Sequence, residues 1–104
     1  MAATRYKLEF LPLFEEDLNE ITDYISGVLH DPDAALRLVE DVERAIFDRL
    51  KAPTSFEKYY SLHERKHPYY RIRVRNYTVF YVVIDDVMEV RRILYSRRDF
   101  TFQL

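Results

Sequence analysis

Residues 69–84, YYRIRVRNYTVFYVVI, hold the clearest pattern in the chain. Arg71, Arg73 and Arg75 take one parity, and Tyr70, Ile72 and Val74 the other. Successive side chains of a strand point to opposite faces, so this alternation predicts a strand with one basic and one apolar face. Arg75-Asn76 breaks it, and Asn tolerates the left-handed backbone of a tight turn. Residues 77–84 are apolar on both parities, as a central strand covered on both faces requires. After Asp85-Asp86 the pattern predicts a third strand over 87–95. It carries Val87, Glu89, Arg91, Ile93 and Tyr95 on one parity, and Met88, Val90, Arg92 and Leu94 on the other.

Upstream the period changes. Tyr6, Leu8 and Phe10 alternate with Lys7 and Glu9, which predicts a short strand over 5–10 ended by Pro12. Phe14, Leu18, Ile21, Ile25 and Val28 then recur at helical spacing and predict a helix over 12–29. Gly27, the only glycine, loosens its last turn. Asp31-Pro32 supplies an N-cap and a first-turn proline for a second helix over 32–51. Its buried face reads Ala35, Leu38, Val39, Val42, Ile46 and Leu50, with Leu36 and Phe47 widening it. The short link between the helices forces an antiparallel hairpin. Residues 52–68 have no clean period and carry Pro53 and Pro68, so they predict a long loop.

The expected architecture is α+β, in the order β-α-α-β-β-β, with an antiparallel sheet packed against a helical hairpin. The first strand joins a sheet edge or pairs centrally. Ile46, Phe80 and Val82 are expected between hairpin and sheet. With 104 residues, one domain over 1–104 is expected.

Composition narrows the function classes. Hydrophobic residues at 48% and charged residues at 33% exclude a disordered chain. The absence of cysteine removes disulfide and thiol chemistry and suits a cytoplasmic protein. No apolar run approaches the roughly 20 residues of a membrane span, and the first residues lack the apolar core of a secretory signal. No glycine-rich phosphate loop occurs, and His30, His63 and His67 have no ligand-like spacing, so neither cofactor nor metal is expected. The charge is split. Residues 1–50 hold 5 Lys/Arg against 12 Asp/Glu, and residues 51–104 hold 11 against 6. The sheet half therefore attracts an anionic partner.

The candidate chemistry lies in arginines from three segments: Arg71 and Arg73, Arg92, then Arg97 and Arg98. Tyr69, Tyr70, Tyr77, Tyr81 and Tyr95 interleave them. Arginine with aromatics suits phosphate binding with base stacking. It equally suits docking of an acidic protein segment, and a ladder of arginines also serves simply as a solvated face. Tyr81, inside the most apolar strand, reads as core.

The run RIRVRNYTVFYVVIDDVMEVRRILYSRRDF resembles the C-terminal half of RelE/ParE-type toxins of type II toxin–antitoxin pairs, a group that includes plasmid stabilisation proteins. The preceding strand and helical hairpin are similar too, so the resemblance covers nearly the whole chain. It implies a bacterial, growth-inhibiting toxin and a cognate antitoxin that wraps it in a hetero-oligomer. RelE-like members cleave mRNA on the ribosome without a metal. For them Arg71, Arg73 and Arg97 match catalytic basic positions, and a neutral His63 or His67 is the candidate base. Thr78, however, stands where those nucleases carry an arginine, and the tail FTFQL lacks their terminal tyrosine. ParE-like members poison DNA gyrase and are not enzymes. The long hairpin and the ending SRRDF are closer to them. Target or antitoxin binding then falls to Arg71, Arg73, Arg92, Tyr95, Arg97 and Arg98, with the antitoxin expected on the positive sheet half. A degenerate member acting only as a binding module is the remaining reading.

Overall fold

The computed structural model describes residues 5–63, 66–100 and 103–104. Residues 64–65 of the long loop and 101–102 of the tail lie outside them. The chain runs β1 (Lys7–Phe10), α1 (Pro12–Asp23), a π-helical turn (Tyr24–Val28), α2 (Pro32–Arg49), β2 (Lys58–Tyr59), β3 (Tyr69–Val74), β4 (Tyr77–Ile84) and β5 (Val87–Tyr95). The sheet order is β1-β5-β4-β3-β2.

Helix ends follow their residues. Pro12 opens α1, and Asp31 caps α2 by accepting from the Ala34 amide at 3.1 Å. The first helix gives way at Asp23 to the π-turn, which contains Gly27. Three C-terminal strands form the expected meander. Arg75 (φ 55°) and Asp85 (φ 56°) take left-handed backbone in its two turns.

The sheet is mixed rather than purely antiparallel. β1 lies parallel to β5, with Lys7 opposite Val87 and Phe10 opposite Val90. The hairpin between them supplies the crossover that a parallel pair requires. β2, a two-residue edge strand opposite Tyr69 and Tyr70, lies inside the stretch expected to be loop.

A bulge changes the reading of β5. Register shifts between Phe80 and Tyr81, which face Arg92 and Val90, so Arg91 is the extra residue. Strict alternation put Val90, Arg92 and Leu94 on one face. Instead Met88, Val90 and Ile93 face the helices and Leu94 the opposite side. One inserted residue reverses every side chain after it.

Two cores result. The larger packs Phe14, Leu38, Val42 and Ile46 of the hairpin on Tyr70, Ile72, Val79, Tyr81 and Val90 of the sheet. The smaller lies on the outer face, where Phe80, Val82 and Leu94 pack with Tyr69, Phe100 and Leu104. Phe80 and Val82 are fully buried, but under the C-terminal tail and not beneath the hairpin as expected. The Phe100 ring meets Phe80 edge-on with centroids 4.8 Å apart. Leu36 and Phe47, expected to widen the buried face of α2, are 60% and 56% exposed. No helix among the described residues is long and apolar enough to cross a membrane.

Phe80 contacts aromatic rings of β2, β3 and the tail. Its replacement by alanine leaves a cavity among these rings. Phe80→Ala is expected to cost roughly 3–5 kcal/mol in denaturant titration. A loss below about 1 kcal/mol would show that the tail is not a working part of the core.

Candidate functional site

The six residues singled out for binding separate into three groups. Arg71 projects from the outer face of β3. Its Nη2 donates to Glu57 at 3.2 Å, and its guanidinium lies 4.7 Å over the Tyr59 ring. Arg49 of α2 braces the same region from the helix side. It donates to the Tyr81 hydroxyl at 2.9 Å and to the Arg71 carbonyl at 3.2 Å, and stacks on Phe56 at 3.5 Å. The Tyr81 hydroxyl in turn donates to the Pro53 carbonyl at 2.6 Å. Burial pushes the Tyr81 phenol above its ordinary value, against the opposing hydrogen bond from Arg49. The start of the loop is thereby fastened to the sheet.

Arg92 belongs to the interior. Its Nε and Nη2 reach Asp17 of α1 at 2.7 and 2.9 Å, and its Nη1 donates to the Gln103 carbonyl at 3.2 Å. Asp17 also accepts from the Ile93 amide at 3.1 Å. β1 ends opposite Val90, so the Ile93 amide lies just past the end of β1, and Asp17 takes the place of a neighbouring strand. The Asp17 hydrogen bond raises the Arg92 pKa further.

Arg73, Tyr95, Arg97 and Arg98 gather at one end of the sheet. Arg73 faces Thr78 across the strands, and Thr78 shares a 2.8 Å hydrogen bond with Ser96. Arg97 and Arg98 follow directly. Both are exposed, and their side chains carry no ion pair among the described residues. Arg73 donates from Nε to the Arg75 carbonyl at 2.8 Å. Thr78 itself is buried and presents nothing to the surface. Arg71, Arg73 and Arg97, the catalytic set implied for a nuclease, thus flank a face whose centre the tail covers. His63 is exposed on the loop.

Pattern reading missed an apolar groove along the hairpin. Phe10, Phe14, Leu18, Val39, Val42 and Ile46 line an opening of about 310 Å³, with Glu15 and Glu43 at its rim. The legible signal was an apolar stripe on α2 wider than a single buried face requires.

A family model described as the ParE toxin of the type II toxin–antitoxin system parDE matches residues 8–100. The chain belongs to the ParE toxin family. It is therefore the toxin member of a type II toxin–antitoxin system. Among solved structures it is similar to the chromosomal ParDE system of P. aeruginosa, at 17% identity and TM-score 0.72, covering 88% of this chain and 97% of that one. A RelB–RelE complex from Methanococcus jannaschii also matches, at 23% identity and TM-score 0.45, covering 84% and 88%. No curated protein matches. The first similarity places this ParE-family chain in the same fold.

Two expectations follow from the ion pairs. Asp17 and Arg92 side chains are only 11% and 17% exposed. Asp17→Ala leaves Arg92 uncompensated and the Ile93 amide without its acceptor, and is expected to cost roughly 3–5 kcal/mol by chemical denaturation. A loss under about 1 kcal/mol would remove the pair from the structural frame.

Asp41 receives Nε and Nη2 of Arg75 at 2.8 and 2.6 Å and Nη1 of Arg44 at 3.2 Å. The hydrogen bond from Arg75 leads in holding its carboxyl below the ordinary 3.8. A depressed folded pKa stabilises above the unfolded value and is lost as pH falls through the folded one. Asp41→Asn is therefore expected to lower the melting temperature at neutral pH, with the gap from wild type closing only below pH 3.8. A gap constant with pH would sever Asp41 from this linkage.

Proposed function

We propose that this ParE-family toxin acts as a poison of DNA gyrase, restrained by a cognate antitoxin, and not as a ribosome-dependent nuclease. The observation that carries the reading is the covered outer face of the sheet. A nuclease of the RelE kind needs that face open to hold a transcript against its basic residues. Here Phe100 and Leu104 lie over Phe80 and Val82. Arg71 is occupied by Glu57 and Tyr59. Thr78, bonded to Ser96, offers no cation to a phosphate. A missing preorganised charge of that kind costs on the order of a hundredfold or more in rate.

The surfaces left open suit proteins. The hairpin groove has the apolar lining that an amphipathic helix would dock against. Its acidic rim, on a half of the chain rich in carboxylates, favours a helix with basic flanks. We assign it to the antitoxin. The positive excess of the sheet half, where the sequence led us to expect the antitoxin, then remains for the target.

Pulse labelling of DNA and protein synthesis after induction without antitoxin tests the mechanism. Early arrest of DNA synthesis, induction of the DNA-damage response and intact transcripts are expected. Early arrest of protein synthesis with codon-specific cuts, lost on Arg71→Ala or Arg97→Ala, would overturn it.

A further inference from the structure

The end of the molecule where β4 begins and β5 finishes carries a second opening that neither the groove nor the covered face explains. Tyr77 stands there as a ridge between two depressions. On one side, Ile25, Leu29, Ala34, Leu38, Arg75 and Asn76 line a hollow of about 250 Å³. On the other, Tyr95, Ile21, Glu20 and Arg98 border a smaller one of about 90 Å³. The Tyr77 and Tyr95 rings meet edge-on at 5.9 Å.

The hairpin contributes its turn. α1 loosens into the π-turn at Tyr24–Val28, and His30 takes a left-handed backbone (φ 54°). This leaves Tyr24, Val28 and Leu29 more than half exposed. Single π-turns in otherwise regular helices occur frequently at functional sites. Three large apolar side chains exposed at a helix end, with half-exposed Tyr95 across the Tyr77 ridge, give this end of the molecule an apolar character.

Charge decides what fits. Arg75 is held by Asp41, but Arg97 and Arg98 are exposed on the β5 side of the ridge without an ion pair among the described residues. On the hairpin side lie Asp23, Asp31 and Asp33, while Glu20 borders the smaller hollow with Arg98. A nucleic-acid strand running across this end would meet those carboxylates with its phosphates. A protein segment with one large apolar side chain and a few local carboxylates would not. Its apolar group enters the hollow beside Leu29 and Tyr77, and its carboxylates turn toward Arg97 and Arg98. Burial raises the Tyr77 phenol above its usual value, so the ridge stays a neutral hydrogen-bond donor.

We infer that the Tyr77 ridge, with the π-turn on one side and Arg97 and Arg98 on the other, is a docking surface for an acidic protein segment anchored by an apolar side chain. It is separate from the hairpin groove and does not depend on which enzyme the toxin poisons. Arginine and tyrosine around an apolar pocket are the composition of interface hot spots.

The test is a two-dimensional NMR titration of the folded chain with a short, otherwise uncharged synthetic peptide in which one phenylalanine is followed by a pair of glutamates. Saturable shifts at Val28, Leu29, Tyr77, Tyr95 and Arg98 are expected. The double variant Arg97→Glu/Arg98→Glu, with an unchanged far-ultraviolet spectrum, is expected to weaken the peptide about tenfold. Leu29→Ser provides a second variant that leaves every charge in place and removes part of the anchor site. Four results would each overturn the proposal: no saturable shift, shifts centred on the groove, equal binding of a peptide with serine for phenylalanine, or tighter binding of a single-stranded oligonucleotide at the same residues.

Discussion

One carboxylate holds three parts of this molecule in register. Asp17 sits on the buried side of α1, receives both arms of Arg92, and closes the Ile93 amide where β1 has run out. Arg92 passes the connection on to the tail through the Gln103 carbonyl. Helix, sheet edge and tail are therefore joined by one charge-assisted network. Such a pair adds little net stability over an apolar replacement, because both groups lose water. Its consequence is geometric: it fixes where α1 crosses β5, and so where the tail can lie.

The bulge in β5 makes that network possible. An uninterrupted strand would carry Arg92 and Val90 to the same face, and the helices would then meet a guanidinium in their core. With Arg91 inserted, Val90 and Ile93 both reach the hairpin while Arg92 swings to the edge. Arg91 is not left idle, since its Nε donates to Glu89 at 2.8 Å. Alternation read from sequence counts residues and contains no term for an inserted one. The sequence therefore grouped Arg92 with the binding arginines, and its pairing with Asp17 was not legible.

Elsewhere the sequence was legible where each residue answers to a local rule. β4 and β5 begin and end at the expected residues, and the Asp31-Pro32 cap is in place. The basic parity of Arg71 and Arg73 was also plain. What was not legible needed information from distant parts of the chain. A strand apolar on both faces, such as β4, says that two covers exist but not what they are. The second cover is the tail, whose contacts among the described residues come from Phe100 and Leu104. The partners of Arg71 come from the aperiodic loop. The π-turn was visible only as a glycine near a helix end. An added Cβ at Gly27 would meet nothing within 4 Å, so local crowding does not require glycine there.

These constraints bear on function through what they leave open. A sheet with one face on the hairpin has its other face free, and in a strongly basic chain that face is the natural seat for RNA. Here Phe80 and Val82 make the free face apolar at its centre, and exposing it to water would cost far more than a surface arginine returns. The tail must cover it. The sheet's cations are then pushed to the margins. Arg71 is taken up by Glu57, Arg75 by Asp41 and Arg92 by Asp17. The positive excess read from the sequence is thus partly spent within the fold; among the described residues of the sheet half Lys58, Arg73, Arg97 and Arg98 are exposed without an ion pair, and Arg97 and Arg98 lie at the end of the sheet that carries Tyr95. Two cations at an end of apolar character are too few to hold a polyanion, whose affinity grows with each phosphate neutralised. They are enough to orient a protein surface already anchored by its apolar contacts. On the reading proposed above, the same packing that closes the sheet turns the toxin's recognition chemistry toward proteins.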